Sequence, residues 1–399
     1  MSLISTLKQS ILIHLLLTIT FFTTGLIVNF FQCILYLSVR PFSRYIYRKI
    51  NYYLCYFFYS QLVFLAEYWS ESDLILYIDK DDFKKYYGKE HGYLIMNHCY
   101  EIDWLVGWIL CDRVGLLGNC KAYVKKSVQY FPAIGWTWKF AECVFLARNW
   151  EEDKEIIKSQ ISELANYPDS IWLLLYPEGT RFTEQKLEAS KKFALEKGIT
   201  PLKHHLLPRT RGFTASIPHM RGKIPAIYDV QLHFNPADPV KPTMTNLLLG
   251  KRIEAHLYMQ RIPIEEVPED DEGAAKWLYN LYKKKDRLAE SFYQTGDFFA
   301  TSGVPRLEKF VVKKRCYTCL NTIIWSVIVL IPMTYYLINL FLTGSVISCS
   351  VGIGIIFLFY VGMRKLIGMS QISKSSSYGT DKINIQVEKK EASNKGNIE

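Results

Sequence analysis

The chain of 399 residues carries 48 Lys and Arg against 38 Asp and Glu, a formal net charge of +10, and 15% of it is Phe, Trp or Tyr. That aromatic share excludes a disordered chain, and nine thinly spread cysteines, an odd number, exclude a small disulfide scaffold. A mean hydropathy of +0.03, with long apolar runs near both ends, fits a single soluble domain poorly and implies one globular unit between membrane segments.

The first run, Ile11 to Leu37, is broken only by His14, Asn29 and Gln32. It reaches the roughly 20 apolar residues a spanning helix needs. It exceeds the core of about 7–15 residues in a cleaved signal, so it reads as a retained anchor. Tyr52 to Trp69 is dense in Tyr and Phe and follows Arg44, Arg48 and Lys49. This is the pattern of a helix at headgroup level, with a core helix of the globular domain as the alternative. Residues 1–70 thus form the anchor and interfacial helix.

Residues 71–312 read as an α/β domain. Tyr93–Met96, Ile171–Tyr176, Ile224–Val230 and Ala255–Met259 look like strands. Glu151–Leu164 and Gly273–Tyr293 look like helices between or after them. The alternation implies a sheet covered by helices, in an order the sequence does not reveal.

Residues 313–369 hold a hydrophobic hairpin. Leu320–Leu342, with Pro332 inside, and Val346–Met363 are separated only by Thr343, Gly344 and Ser345. Lys313, Lys314 and Arg315 precede the pair, and Arg364 and Lys365 follow it. Both flanks are expected on the cytoplasmic side. Lys8 stands alone before the first run, while four cations follow it, so the start of that run is expected on the far side. Residues 370–399, rich in Ser, Lys and Asn, are expected to be disordered. Cys316 and Cys319 lack the second pair a zinc site needs.

Two clusters carry chemistry, each directly after an apolar strand, where α/β sheets place reactive groups. The first is Asn97-His98-Cys99-Tyr100-Glu101-Ile102-Asp103. On one helix, positions five apart diverge by about 140°. With His98 before the helix and Asp103 in its first turn, the two can meet. A carboxylate on one imidazole N–H leaves the other nitrogen as a base. The plainer alternative is a surface His and a capping Asp. Zinc does not fit the spacing of the nearby acids.

The second cluster is Tyr176-Pro177-Glu178-Gly179-Thr180-Arg181. Gly179 permits close backbone approach, and Arg181 offers a fork of donors suited to phosphate. An ordinary turn with a surface Glu–Arg pair is the alternative. Between the clusters, Lys125, Lys126 and Arg148 interleave with apolar segments, and Arg209 follows in Leu206–Arg209.

Together these blocks resemble the glycerolipid acyltransferases, specifically the lysophosphatidate (1-acylglycerol-3-phosphate) acyltransferase family. That family carries an NHxxxxD block, a basic G…FxxR block, an EGTR block and a Pro-containing fourth block. Here they stand in the same order as Asn97–Asp103, Gly135–Arg148, Glu178–Arg181 and Leu206–Arg209. The likeness extends through Trp150–Asp153, the late Ser376–Gly379 and the hydrophobic pair of the animal gamma/delta-type members. Two positions depart from the pattern of those relatives, Pro177 in place of a frequent Cys and Cys99 in place of a frequent Asn, and both bear on acceptor preference.

The resemblance implies a central mixed sheet flanked by helices. It implies acyl transfer from acyl-CoA, as co-substrate and without a cofactor, to the sn-2 hydroxyl of lysophosphatidate or a related lysophospholipid. His98 would be the general base and Asp103 its orienting partner. Lys125, Lys126, Arg148 and Arg181 would hold the acceptor phosphate, in a pocket shaped by Glu178, Gly179 and Thr180. A covalent route through Cys99 is a lesser alternative. The setting implied is the endoplasmic reticulum membrane, with several spans and the catalytic domain toward the cytoplasm. Three rival readings predict other features. Acyltransferases for lysophosphatidylinositol or lysocardiolipin tend to lose the Arg of the third block. A non-catalytic membrane-shaping protein would not need His98. A nucleic-acid binder would gather its basic residues around stacking aromatics, which this chain does not do.

Overall fold

A computed structural model describes residues 3–372. The expected disorder of the tail and the Ser376–Gly379 likeness concern residues beyond 372 and lie outside the described residues, apart from the first three of the tail.

Among the described residues the strands are β1 (Asp73–Ile78), β2 (Gly92–Met96), β3 (Cys120–Lys125), β4 (Val144–Leu146), β5 (Trp172–Leu175), β6 (Ala226–Phe234), β7 (Glu254–Pro263) and β8 (Glu308–Phe310). They form one mixed sheet in the order β4-β3-β5-β2-β6-β7-β1-β8. The four expected strands are β2, β5, β6 and β7. Of the other four, β4 and β8 have three residues each and β3 carries two lysines, while β1 is an apolar strand of six residues. From β4 to β6 all neighbours are parallel. The register pairs Lys125 with Leu146, Ala122 with Leu174, Ile95 with Leu175 and Met96 with Val230. The carboxyl ends of β2, β3, β4 and β5 therefore open on one edge. β7 runs antiparallel to β6, and β1 joins beyond it.

The helices longer than ten residues are α1 (Ile11–Ser38), α2 (Arg44–Phe64), α3 (Asp103–Arg113), α4 (Trp150–Leu164), α5 (Glu184–Glu196), α6 (Asp271–Thr295), α7 (Tyr317–Leu342) and α8 (Val346–Ser370). Their starts follow capping chemistry. Ser43 Oγ accepts from Ile46 N, Asn149 Oδ1 from Glu151 N and Asp270 Oδ1 from Gly273 N. Gly296, at φ 74°, closes α6 in the left-handed conformation that glycine tolerates best.

Strand residues alternate between two cores, as the pleat requires. Leu94, Met96, Tyr228 and Val230 face α2 and α3. Tyr93, Ile95, Leu173 and Ile227 face Ile157 and Ile161 of α4 and Leu278 and Leu281 of α6. Residues of α2 (Cys55, Phe58, Tyr59 and Val63) are almost fully buried in the first core, while Tyr45, Ile46, Ile50 and Tyr53 on the same helix stay exposed. This helix is part of the domain core with one apolar edge left outside.

The residues that interrupt the apolar run of α1 form a buried polar seam. Asn29 Nδ2 donates to Thr137 Oγ1 at 2.8 Å, and Gln32 Nε2 to Asn51 Oδ1 at 2.8 Å. His14 Nε2 lies 2.8 Å from the Lys8 carbonyl. A start on the far side of a bilayer would carry Lys8 away from the domain. Instead Lys8 Nζ sits 2.7 Å from Glu71, just before β1, and its methylenes lie against Gly250. At the other end Arg40 lies 3.8 Å from Glu142, just before β4. Both ends of α1 thus contact the same domain. By length and hydropathy α1, α7 and α8 are each able to cross a membrane, and the apolar windows of α7 and α8 are only 6% and 11% buried. These apolar helices mark a membrane-associated protein.

Candidate active site

Both clusters sit at the shared carboxyl edge of the sheet. β2 ends at Met96, and Asn97 continues its pairing through a side chain. Asn97 Nδ2 donates to Leu232 O at 3.0 Å, and Oδ1 accepts from Leu232 N at 2.8 Å. This fixes the direction in which the chain leaves the sheet. His98 follows, and α3 begins at Asp103. His98 Nδ1 lies 2.7 Å from Asp103 Oδ2. That bond selects the tautomer with the proton on Nδ1 and the lone pair on Nε2. Asp103 is wholly buried, while the His98 side chain is 17% exposed. Among the described residues none hydrogen-bonds Nε2. The carboxylate is further held by Trp104 N at 2.7 Å and Tyr100 N at 3.4 Å.

The loop after β5 is cross-tied to this turn. Glu178 Oε1 accepts from His98 N at 3.1 Å, and Phe182 N donates to His98 O at 2.8 Å. The Tyr176 ring stacks on the imidazole, with centroids 4.0 Å apart and planes 18° apart. Glu178 is therefore turned inward, onto the backbone of His98 and Leu206, and not toward a solvent-facing pocket. Burial pushes its carboxyl up to about 8, against the pull of those two backbone donors. Gly179 has φ 70°, and a Cβ there would come within 3.0 Å of the Arg209 side chain. Only glycine fits that position without strain.

The basic residues fall into two sets. Lys186 Nζ donates to Thr180 Oγ1 at 2.8 Å and to Arg181 O at 3.1 Å. Its ammonium is held below the ordinary lysine value by burial first, then by Arg148 and Arg181. Arg148 and Arg181 therefore both lie within electrostatic reach of Lys186, an arrangement suited to a phosphate. Arg181 Nη1 donates to the carbonyl of Ser370, at the end of α8, at 2.7 Å. Arg148 has a positive φ of 68°, and Asp153 of α4 holds it there by accepting from Ala147 N at 2.7 Å and Arg148 N at 2.9 Å. Lys125 and Lys126 are exposed at the end of β3, with Lys126 3.7 Å from Glu152. They rim the same edge without being enclosed.

Sequence reasoning did not single out Lys186, Asp153 or Tyr176 for a role. Lys186 stands five residues beyond Arg181 on the first turn of α5, a spacing that returns it to the loop, and this was the available signal. Cys99, beside the base, has its thiol pushed well above the ordinary cysteine value by burial and then by Glu178. It is poorly suited to act as a thiolate nucleophile. A small apolar cavity of about 70 Å³, lined by Phe21, Leu62, Leu65, Met244 and Ile367 among others, opens between α1, α2 and α8.

The family model described as Acyltransferase matches residues 77–220, and the one described as Acyltransferase C-terminus matches 246–325. The chain is 41% identical over 383 residues to 1-acyl-sn-glycerol-3-phosphate acyltransferase gamma of Mus musculus, covering 96% of this chain and 99% of that protein. It is 40% identical to the delta protein of Homo sapiens, covering 95% and 97% respectively. A crystal structure of the 1-acyl-sn-glycerophosphate (LPA) acyltransferase PlsC from Thermotoga maritima aligns over 70% of this chain and 95% of that one, at 15% identity and a TM-score of 0.40. Near-complete coverage at this level of identity leaves one assignment: the chain belongs to the 1-acyl-sn-glycerol-3-phosphate acyltransferase family.

Proposed function

We propose that the protein transfers an acyl group from acyl-CoA to the sn-2 hydroxyl of lysophosphatidate, yielding phosphatidate and CoA. The observation that carries this reading is the 2.7 Å bond between His98 Nδ1 and Asp103 Oδ2, on the sheet edge that also gathers Arg148, Arg181 and Lys186. Nε2 of His98 takes the hydroxyl proton as the oxygen attacks the thioester carbonyl. Asp103 stabilises the imidazolium so formed. Peptide N–H groups of the turn before α3 are the donors proposed for the oxyanion. When the tetrahedral intermediate collapses, the carbon–sulfur bond breaks, and the imidazolium returns its proton to the thiolate of CoA. No residue is acylated.

The acceptor phosphate takes the donor of Arg181 now given to the Ser370 carbonyl, with Arg148 and Lys186 beside it and Lys125 and Lys126 at the entrance. Acyl chains are placed toward the apolar cavity, so that both substrates reach the site from the lipid. The setting we infer is the endoplasmic reticulum membrane with the catalytic domain on the cytoplasmic side, where net positive charge favours anionic lipid surfaces.

The test is release of CoA by purified protein in vesicles, from acyl-CoA with and without lysophosphatidate. His98→Ala is expected to lose at least about 100-fold, since general-base work contributes about 10²–10⁴. Wild-type turnover in that variant would overturn the mechanism. Arg181→Lys is expected to raise KM for lysophosphatidate with a smaller change in kcat, because a fork of donors becomes a point charge.

A further inference from the structure

The loop that carries Arg181 also reaches into the catalytic pair. Tyr176 leaves β5 one residue beyond Leu175 and touches both partners at once. Its ring lies on the His98 imidazole, centroids 4.0 Å apart. Its hydroxyl donates to Asp103 Oδ1 at 3.3 Å. The carboxylate is thereby bound on both oxygens, Oδ2 by the imidazole and Oδ1 by the phenol and Trp104 N. Without the phenol, one oxygen of a wholly buried carboxylate would rest on a single backbone donor. Without the ring, the free face of the imidazole would lack a wall on the β5 side.

We propose that Tyr176 is a positioning residue for acyl transfer: it clamps His98 and Asp103 in the reactive geometry and joins the base to the loop that holds the acceptor phosphate. The inference rests on the reading of His98 as general base. Besides His98, the groups that interact electrostatically with Asp103 among the described residues include Cys99, Glu178 and Tyr176. Arg181 acts in turn on Tyr176. Of these groups Tyr176 is the one that contacts the side chains of both His98 and Asp103. Its phenol, deep in the site beside Asp103, is held well above the ordinary tyrosine value by burial and then by that carboxylate. It therefore remains a donor across the working pH range.

The direction of the effect follows from charge. The phenol draws part of the Asp103 charge onto itself. Removing the hydroxyl leaves that charge to the imidazole and favours the imidazolium, so His98 holds its proton to higher pH. Tyr176→Phe keeps the ring and loses the donor, and Tyr176→Leu loses both.

The experiment measures kcat and KM for lysophosphatidate and acyl-CoA against pH, on full-length protein in vesicles, with His98→Ala beside the two Tyr176 variants. Tyr176→Phe is expected to lower kcat about tenfold, the worth of one hydrogen bond to a charged group. Both KM values should stay within about twofold, and the acid limb of kcat should move to higher pH. Tyr176→Leu should lose about tenfold more, as a stacked ring contributes about 0.5–1.5 kcal/mol beyond its area. A purely structural role would lower the unfolding temperature and leave the acid limb in place. If His98→Ala is inactive while Tyr176→Phe matches wild type in kcat and acid limb, the clamp is refuted and the base stands. If His98→Ala is fully active, the base reading fails and the clamp falls with it.

Discussion

Glu178 is a carboxyl group placed where a carboxylate is poorly solvated. It is 1% exposed, and Oε1 accepts from His98 N. Its ordinary value near 4.5 rises to about 8, chiefly through burial. In the unfolded chain it loses its proton near 4.5, while in the folded chain it keeps the proton to about 8. Its contribution to stability is therefore undiminished at low pH, declines as pH rises from about 4.5, and is lost above about 8. Glu178→Gln keeps an acceptor for His98 N and does not titrate. Compared by thermal unfolding at pH 5 and pH 8, the Gln variant should gain on wild type as pH rises; a constant difference would show that the carboxyl is ionised in the fold. The buried imidazoles of His205 and His233, held low chiefly by burial, act in the opposite sense, but they are common to both proteins and cancel. Glu178→Ala should lose more activity than Glu178→Gln, because the His98 N–H is then left without its acceptor. The sequence placed Glu178 in the right turn but could not show its direction. Whether a side chain at a strand end faces the neighbouring loop or the solvent depends on which strand lies alongside, and the pairing of β5 with β2 is a tertiary fact. His98 and Asp103 were legible because both lie on one local turn.

Helix packing shows a similar division. The apolar run 11–37 gave α1 almost to the residue, since length and hydropathy are local properties. Its three polar interruptions gave no hint of their partners, because Asn29 meets Thr137 across 108 positions and Gln32 meets Asn51 on the next helix. The aromatic density of 52–69 favoured the headgroup level, yet one face of α2 is core: aromatic rings suit both places, and only packing distinguishes them. Of the missed strands, β4 and β8 have three residues each, and β3 and β8 carry lysines that mask their apolar pattern; β1, six residues of DLILYI, has neither feature. Close packing of α1 on α2 turns on Gly25, where a Cβ would meet Ala133 Cβ at 2.6 Å and the Phe58 ring at 2.8 Å, both buried. Neither neighbour is the far end of a flexible chain. Gly25→Leu should force the helices apart and cost about 1–3 kcal/mol, the usual penalty for overpacking. A lowered unfolding temperature in detergent would register it. An unchanged temperature would mean that α1 does not hold this seam outside the membrane lattice of the intact protein.

At the scale of the whole molecule, α1 runs along the domain and does not leave it. Its 28 residues span about 42 Å at 1.5 Å each, more than the roughly 30 Å hydrocarbon core. If α1 crossed the bilayer, its two ends would face opposite compartments. Yet Lys8 is bound at Glu71 and Gly250, and Arg40 reaches Glu142, next to strands on opposite sides of the same sheet. Separating the ends would break the contact at Lys8 and expose the buried seam of Asn29 and Gln32 to lipid, where unsatisfied polar groups cost several kcal/mol each. From these contacts we infer that α1 lies beside the domain at the membrane face. α7 and α8 differ, since their long exposed apolar surfaces have only lipid to meet. An epitope placed at the N-terminus should therefore be open to antibody from the same side as one placed in the exposed loop 235–239 of the catalytic domain, in sealed microsomes and without detergent. An epitope at Thr343–Ser345, between α7 and α8, should stay protected until the membrane is dissolved. Should the N-terminal epitope become reachable only after detergent, α1 crosses the bilayer, and its contacts at Lys8 do not survive in the membrane.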